Sequence, residues 1–504
     1  MLTSAPPSPH APAPAGPGGT GRSGASRAIA RNSGWQMLTF AGRLLGGLVA
    51  SVLVARSYGP AGLGTMQLAL TVAALAAGGV GLGLPNLLAR EVARDPGRTR
   101  EWLETGLFVV GVLSLPAAAV ALAGWSLTGR GDLALAILLA VVSLPFDLGA
   151  RLMFASFWAW ERMELEALAT WVQEASFVVV TALLLASGHG VAAVLTGYAG
   201  SRALGAAVAW LMASGRLAAP VAPRPHGRFL RQMLRLSIPF ALDDLLSLSY
   251  IKIDALLLGA VKGATAVGLY QAGTNLVLTL NVLARTVNNA LYPRLSRAWP
   301  QAGPDFRRLR DASLRLLAAM GVPLLVGAVM VAPRLMHAVY GDRFDAAVTC
   351  FSVLALVIPV RMLGHTLGTA LTAADAQSSR TAAVAITTVA NLGMNAVAIP
   401  LWSYTGAAFT TLVSEVGLLV GYGLLLRRRA GASALLPALV LPAAACVPMA
   451  AVAASTGRWP FVATVAAAAA TYAVALVALL VHRLPAGLRS RPRALGAVLV
   501  GVGP

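Results

Sequence analysis

From Phe461 to Val481 the chain carries no charged side chain. A helix needs about 20 mostly apolar residues to cross a bilayer, and this segment supplies them. Thirteen further segments read the same way. Spans are expected at roughly 35–57, 63–88, 104–128, 133–158, 168–187, 190–213, 236–258, 266–291, 314–336, 346–371, 381–401, 404–426, 434–456 and 459–481. The runs are continuous, whereas barrel strands would show short alternating segments. The expected fold is therefore all-α and polytopic, with about fourteen transmembrane helices. Composition agrees. Only 12% of the 504 residues are charged and 57% are hydrophobic, against about 25% charged in ordinary soluble proteins. In water such a chain would expose large apolar patches. That excludes a soluble enzyme and a disordered protein.

The net charge of +20 would suggest nucleic acid in a soluble chain. Its distribution says otherwise. With the N-terminus placed in the cytoplasm, cytoplasmic segments hold 27 of the 39 Lys and Arg and external loops hold five. That split follows the positive-inside rule. It predicts a multi-pass protein of the cytoplasmic (inner) membrane with both termini cytoplasmic, no nucleic-acid partner, and membrane lipids as neighbours. Six prolines before residue 18 mark residues 1–30 as an unstructured tail. The expected organisation is a tail at 1–30, a six-helix lobe at 31–213 and a basic linker at 214–235. A second six-helix lobe at 236–428, two further helices at 429–482 and a tail at 483–504 complete it. Cys350 and Cys446 lie in apolar stretches, so no disulfide framework is expected. Pro116, Pro145, Pro239, Pro323 and Pro359 are expected kinks.

An internal repeat supports the two lobes. Gly59, Gly64 and Gln67 after the first span recur as Gly263, Gly268 and Gln271 after the seventh. Both sets follow a span at an external turn. Six spans separate them, so the two halves enter the membrane in the same direction. Parallel repeats with the substrate site between them are a transporter architecture.

Several segments carry a resemblance. They are Ala55-Arg-Ser-Tyr-Gly-Pro-Ala-Gly-Leu-Gly64, Lys252-Ile-Asp254 running into Val267-Gly-Leu-Tyr270, Ala290-Leu-Tyr-Pro-Arg-Leu-Ser296, Tyr340-Gly-Asp-Arg-Phe344, and Asn391-Leu-Gly-Met-Asn395 leading to Ile399-Pro400 and Gly406-Ala-Ala408. Their order over about residues 31–428 resembles the polysaccharide-biosynthesis flippases, which export lipid-linked oligosaccharides. These belong to the multidrug/oligosaccharidyl-lipid/polysaccharide exporter superfamily, with the multidrug and toxin extrusion transporters and the lipid II flippase. The resemblance implies two lobes around a central cavity that opens to alternate sides, and a substrate on a polyprenyl pyrophosphate carrier. It also implies a possible polysaccharide polymerase and export machinery as partners.

A charge at the bilayer centre costs at least about 2.5–3.5 kcal/mol, so each is a functional candidate. Arg43, Arg151, Arg202, Arg285 and Arg361 lie between the midplane and the cytoplasmic side. Arginine suits a pyrophosphate because its planar fork bonds bidentately and stays charged when buried. These five are the candidate substrate site. Asp147 and Arg151, four apart on one helix, are also expected to neutralise each other. Arg43 and Arg285 lead the set, since neither has an acid within four residues. The lipid II flippase, which the chain resembles more distantly, is implied to use arginines of the first and eighth spans. Where that relative has an acid at the start of span 2, this chain has Thr65 or a neighbour.

No GxxxxGK[ST] phosphate loop occurs, so energy is expected from H+ or Na+ exchanged at a buried carboxylate. The candidates are Asp254, Glu415, Asp147 and Glu174. No other cofactor, no metal site and no catalytic group is expected. Three rival readings follow. A membrane-embedded polymerase or ligase would need a long external loop, and every external loop is short. A cation-coupled multidrug exporter calls for an acidic cavity. The lipid II flippase would share the mechanism with a narrower substrate.

Overall fold

The computed structural model describes residues 21–128, 131–299 and 303–483. Every longer regular element among them is a helix, and no strand occurs. The first half holds α1 (Gly21–Gly81), α2 (Leu84–Arg94), α3 (Thr99–Thr128), α4 (Gly131–Val142), α5 (Leu144–Ala159), α6 (Met163–Ala186) and α7 (Val191–Arg216). The second holds α8 (Gly227–Lys262), α9 (Ala264–Ala298), α10 (Pro304–Tyr340), α11 (Ala347–Ala355), α12 (Val357–Ala373) and α13 (Gln377–Ala430). α14 (Leu435–Ser455) and α15 (Phe461–Arg483) follow.

Ten stretches among the described residues are long and apolar enough to cross a membrane. Two of them, Arg31–Gly81 and Gln377–Ala430, are 51 and 54 residues long. Each would measure about 75–80 Å if straight, more than twice the roughly 30 Å hydrocarbon core. Each breaks near its middle, at Gly59 (φ 66°, ψ −163°) and at Ser403 (φ 53°, ψ −134°). α8 and α9, expected as spans seven and eight, fall outside the ten. α8 carries Lys252, Asp254 and Lys262 in its last turns.

Three expectations change. Residues 21–30 continue α1 instead of belonging to an unstructured tail. The prolines end at Pro17, and Ala and Arg then favour helix; residues 1–20 lie outside the described residues, as do 484–504. The linker 214–235 is half helical, because α8 begins at Gly227. Of the five expected kinks, Pro145 and Pro359 sit in the first turns of α5 and α12, where fresh helices start. Pro116, Pro239 and Pro323 lie inside α3, α8 and α10 without ending them.

The internal repeat has a structural meaning. Gly263 (φ 83°) turns α8 into α9 as Gly59 turns the two limbs of α1. Only glycine takes such a φ without strain. The repeated glycines one turn later pack backbone to backbone. A Cβ on Gly64 would lie 1.7 Å from the Ala264 carbonyl oxygen, and one on Gly268 would lie 1.9 Å from that of Pro60. Small residues let membrane helices approach this closely. Gln271 Nε2 donates to Gln67 Oε1 at 3.5 Å, so equivalent residues of the two halves touch. The Arg56 guanidinium adds bonds to the carbonyls of Val339 and Ala338.

The basic side of the seam is closed by other means. The helix breaks at Leu82 and Gly83 (φ 46° and 64°), and a Cβ on Gly83 would lie 2.3 Å from Phe240 Cβ. α2 thereby lies against α8, with Arg90 over the Phe240 ring at 5.0 Å and Asn86 bonded to Asp244 at 3.4 Å. One apolar core runs through both halves. α14 and α15 attach to the outside of α10, where the Tyr472 hydroxyl donates to the Ala319 carbonyl at 2.6 Å.

Candidate functional site

Three of the five candidate arginines meet in the first lobe. α5 contributes Asp147 and Arg151, α6 contributes Glu166 and Glu174, α7 contributes Arg202, and α1 contributes Arg43. Asp147 and Arg151 pair at 2.8 Å, as their four-residue spacing predicts. Arg202 Nη1 pairs with Glu174 at 2.9 Å and lies 3.9 Å from Asp147. Its guanidinium also lies over the Tyr198 ring at 4.4 Å. Gly46 lets α6 come in close here, since a Cβ on it would lie 2.7 Å from that of Glu174.

Arg43 has a partner that its own helix does not show. Its Nη2 donates to Glu166 at 3.1 Å, across 123 residues of sequence. Glu166 is only 2% exposed and also accepts from Gln36 at 2.9 Å and from the Trp158 indole at 2.5 Å. The carboxylate is thus fixed, and it fixes Arg43. Arg43 also lies over the Phe154 ring at 5.7 Å and is within Coulombic reach of Arg151, Asp147 and Glu174.

Exposure separates these arginines. The side chains of Arg43 and Arg151 are 46% and 53% exposed, while that of Arg202 is 11% exposed. Arg43 spends one N–H on Glu166 and keeps the rest of its fork. Arg202 is enclosed by acids and a ring. The first two can meet an anionic ligand, and the third braces the lobe.

The second lobe differs. Arg361 on α12 binds Glu415 on α13, and the Tyr250 hydroxyl donates to the same carboxylate at 3.1 Å. Arg361 therefore lies apart from the first-lobe arginines, on helices of the other half. Arg285 is on α9, and its side chain lies outside the described ones.

Asp254 on α8 sits in a pocket of neutral donors. Oδ1 accepts from the Asn395 amide at 2.7 Å, and Oδ2 accepts from the Thr411 and Tyr270 hydroxyls at 2.9 and 3.1 Å. Asn395 is held in turn by Asn391 at 2.9 Å and by Thr410 at 2.6 Å, and Asn391 donates to Ser414 at 3.0 Å. Asp254 is 6% exposed. Among the described residues no cation pairs with it, whereas Asp147, Glu174 and Glu415 each meet an arginine. Lys252, two residues away on the same helix, forms no ion pair among the described residues. Among the described residues no group of three His, Cys, Asp or Glu could hold a metal ion.

Sequence reading did not single out Glu166, Thr410 or Thr411, and Tyr270 appeared only in a segment quoted for the resemblance. Glu166 lies just outside the expected fifth span. Asn391 and Asn395 appeared only as part of a resemblance, although their four-residue spacing puts both on one helix face.

An apolar cavity of about 690 Å³ lies at the seam between the halves. Leu68 and Val80 of α1, Leu113 of α3, Ile137 of α4 and Leu256 of α8 line it. All its lining residues are apolar, so it suits hydrocarbon.

Comparison with known proteins now places the chain. Among solved structures it is similar to the lipid II flippase MurJ in an inward closed conformation, with 12% identity, a TM-score of 0.71, and 88% of this chain and 97% of that one covered. It is also similar to an inward-facing multidrug resistance MATE transporter of the MOP superfamily, with 15% identity, a TM-score of 0.60, and 80% and 98% covered. These likenesses establish the fold. By sequence it is 28% identical over 179 residues to a probable flippase, AglR, of Haloferax volcanii, covering 34% of this chain and 37% of that protein. It is 33% identical over 131 residues to the teichuronic acid biosynthesis protein TuaB of Bacillus subtilis, covering 24% and 25%. The chain thus matches about a third or less of the length of these relatives. The model of one family matches residues 29–299, more than half of the chain, and spans every first-lobe residue described above. The chain belongs to the polysaccharide biosynthesis protein family.

Proposed function

We propose that this protein is a flippase. It carries a polyprenyl-pyrophosphate-linked oligosaccharide from the cytoplasmic to the outer leaflet, by alternating access between its lobes, for cell-surface or exopolysaccharide biosynthesis. The observation that carries this reading is the pair of half-exposed guanidiniums, Arg43 and Arg151, held within the membrane-spanning part of a polysaccharide biosynthesis protein. Each is steadied by a carboxylate and keeps donors for a phosphate. The apolar cavity at the seam suits the prenyl chain. Arg285 joins the phosphate site in this reading, and Arg202 and Arg361 support it.

Asp254 is the coupling group in this reading. A carboxylate locked to an arginine cannot readily exchange a cation, and Asp147, Glu174 and Glu415 are so locked. Asp254 hydrogen-bonds to two hydroxyls and one amide, which offer oxygen ligands to Na+ once they turn, or a stable cradle to a protonated acid.

A flippase makes no bond. Cells lacking the protein should accumulate the complete repeat unit on its lipid carrier, shielded from enzymes added outside. The same unit lying exposed on the outer face would overturn the reading and revive a polymerase or ligase.

A further inference from the structure

A second cluster of arginines lies away from the seam, on the basic side of the second lobe. α10 begins at Pro304 and places Arg307, Arg308, Arg310 and Arg315 within its first four turns. With Asp311 and Ala432 they line a cavity of about 320 Å³ beside the turn from α13 into α14.

The floor of this cavity is built. The Arg310 side chain is fully buried. Its Nε donates to Asp311 at 2.8 Å, and its Nη atoms donate to the carbonyls of Gly431 and Ala432 at 3.2 and 2.7 Å. Asp311 also accepts from the Ala434 N–H at 3.3 Å. Arg310 and Asp311 thereby fasten the turn to α10 and are consumed in doing so. Gly431 (φ 78°) closes one wall, and a Cβ there would come within 3.6 Å of the Arg307 guanidinium.

The remaining arginines are not consumed. Arg307 and Arg315 are exposed and have no hydrogen-bond partner among the described residues. Arg308 meets only Asp305, at 3.5 Å, with both side chains more than 70% exposed. Such a contact contributes little. The cavity therefore holds an uncompensated positive charge over a fixed polar floor.

Its depth identifies what it meets. After Arg315 no charged residue occurs in α10 until Arg334. Arg315 thus marks the edge of the apolar part of the helix. Arg307 lies about 12 Å further out along the axis. The polar headgroup layer is about 5–8 Å deep on each side of a bilayer. The arginines span that layer. Just after Ala432, which lines the cavity, Leu436 at the start of α14 is 78% exposed and offers an apolar surface. A free anion has no use for that surface, and an acyl chain does.

We propose that Arg307, Arg308 and Arg315 hold the phosphodiester headgroup of an anionic phospholipid, with its chains along α14. Anionic lipid is attracted to juxtamembrane arginine, and phosphate oxygens match its fork. The site is separate from the seam and fixes the junction between the second lobe and the last two helices.

The test uses the full chain, purified in mild detergent after exposure to phosphatidylcholine vesicles containing a quarter phosphatidylglycerol. Retained lipid is counted by native mass spectrometry. The wild type should retain phosphatidylglycerol selectively. R307Q/R308Q/R315Q should retain it at least about tenfold less, as removal of three charges beside an anionic headgroup requires. R307Q and R315Q alone should each show a smaller loss, which covers misfolding of the triple variant. The control R231Q/R235Q, on the same side of the protein, should retain lipid like the wild type. Undiminished retention by the triple variant, equal loss in the control, or equal retention of phosphatidylcholine would each overturn the proposal. So would displacement of the lipid by millimolar inorganic phosphate, which would mark a free-anion site.

Discussion

In the first lobe, the buried carboxylates Glu166 and Glu174 and the partly buried Asp147 each meet an arginine. In the second lobe, Asp254 meets Asn395, Thr411 and Tyr270 and no cation among the described residues. The two lobes share a hairpin, with Gly59 and Gly263 at matching turns, yet they carry different electrostatics. Arginine-braced acids hold helices together through ion pairs. A carboxylate among neutral donors can change charge or partner without breaking an ion pair. The second lobe also holds a braced acid, Glu415 on Arg361, so the contrast rests on Asp254; in the proposed reading phosphate contact falls to the first lobe and exchange to Asp254.

The largest expected effect falls on the most enclosed pair. Arg202→Met would leave Glu174 buried and uncompensated, which costs about 3–5 kcal/mol in comparable buried pairs. The variant should fail to accumulate in membranes. Adding Glu174→Leu should recover much of that level, because an apolar pair of similar volume is nearly neutral. Failure of the second change to help would mean that the pair does more than brace α6 against α7.

Next comes Asp254→Asn. It keeps the shape and most hydrogen bonds, so the thermal midpoint of the purified protein should stay close to that of the wild type. Export driven by a cation gradient should vanish. A collapse in stability as large as that of Arg202→Met would erase the contrast between the lobes.

Arg43→Ala should lower export at least about tenfold, the scale of a lost charge-assisted hydrogen bond of roughly 1.5–3 kcal/mol, and membrane levels should fall less than for Arg202→Met because Gln36 and Trp158 still donate to Glu166. Arg43→Lys should restore only part, since it offers a point charge without a fork. Normal export by Arg43→Ala would remove it from the substrate site.

The smallest effect belongs to Arg151→Lys. Its pair with Asp147 is half exposed, so the loss of stability should be below about 1 kcal/mol. Export should fall only a few-fold. A larger stability loss would show that Arg151 braces the lobe as Arg202 does.

Much of the fold was legible because apolar length and charge asymmetry are one-dimensional signals. The all-helical fold of many apolar spans follows from apolar length, and the turns at Gly59 and Gly263 from the repeated glycines. The start of α1 at Gly21 was not, because a proline-rich neighbour concealed a short stretch able to form helix. The site was legible only where partners share a helix, as Asp147 and Arg151 do. Arg43 and Glu166 are 123 residues apart, and an acid just outside a span gives no hint of the helix it will meet. Around Asp254 the partners are uncharged, and hydropathy barely registers a threonine or a tyrosine.

The meeting of Gly64 with Gly268, and of Gln67 with Gln271, has a consequence for descent. A residue that touches its own counterpart lies on a two-fold axis, which is the mark of an isologous dimer contact. The chain behaves there as two protomers joined in one polypeptide. A half-length ancestor could have dimerised through this same patch, where any substitution would have been felt twice. Within one chain each copy can vary alone: the glycines stay at the axis, while away from it the first lobe carries braced acids and the second carries a braced acid, Glu415, beside Asp254 among neutral donors.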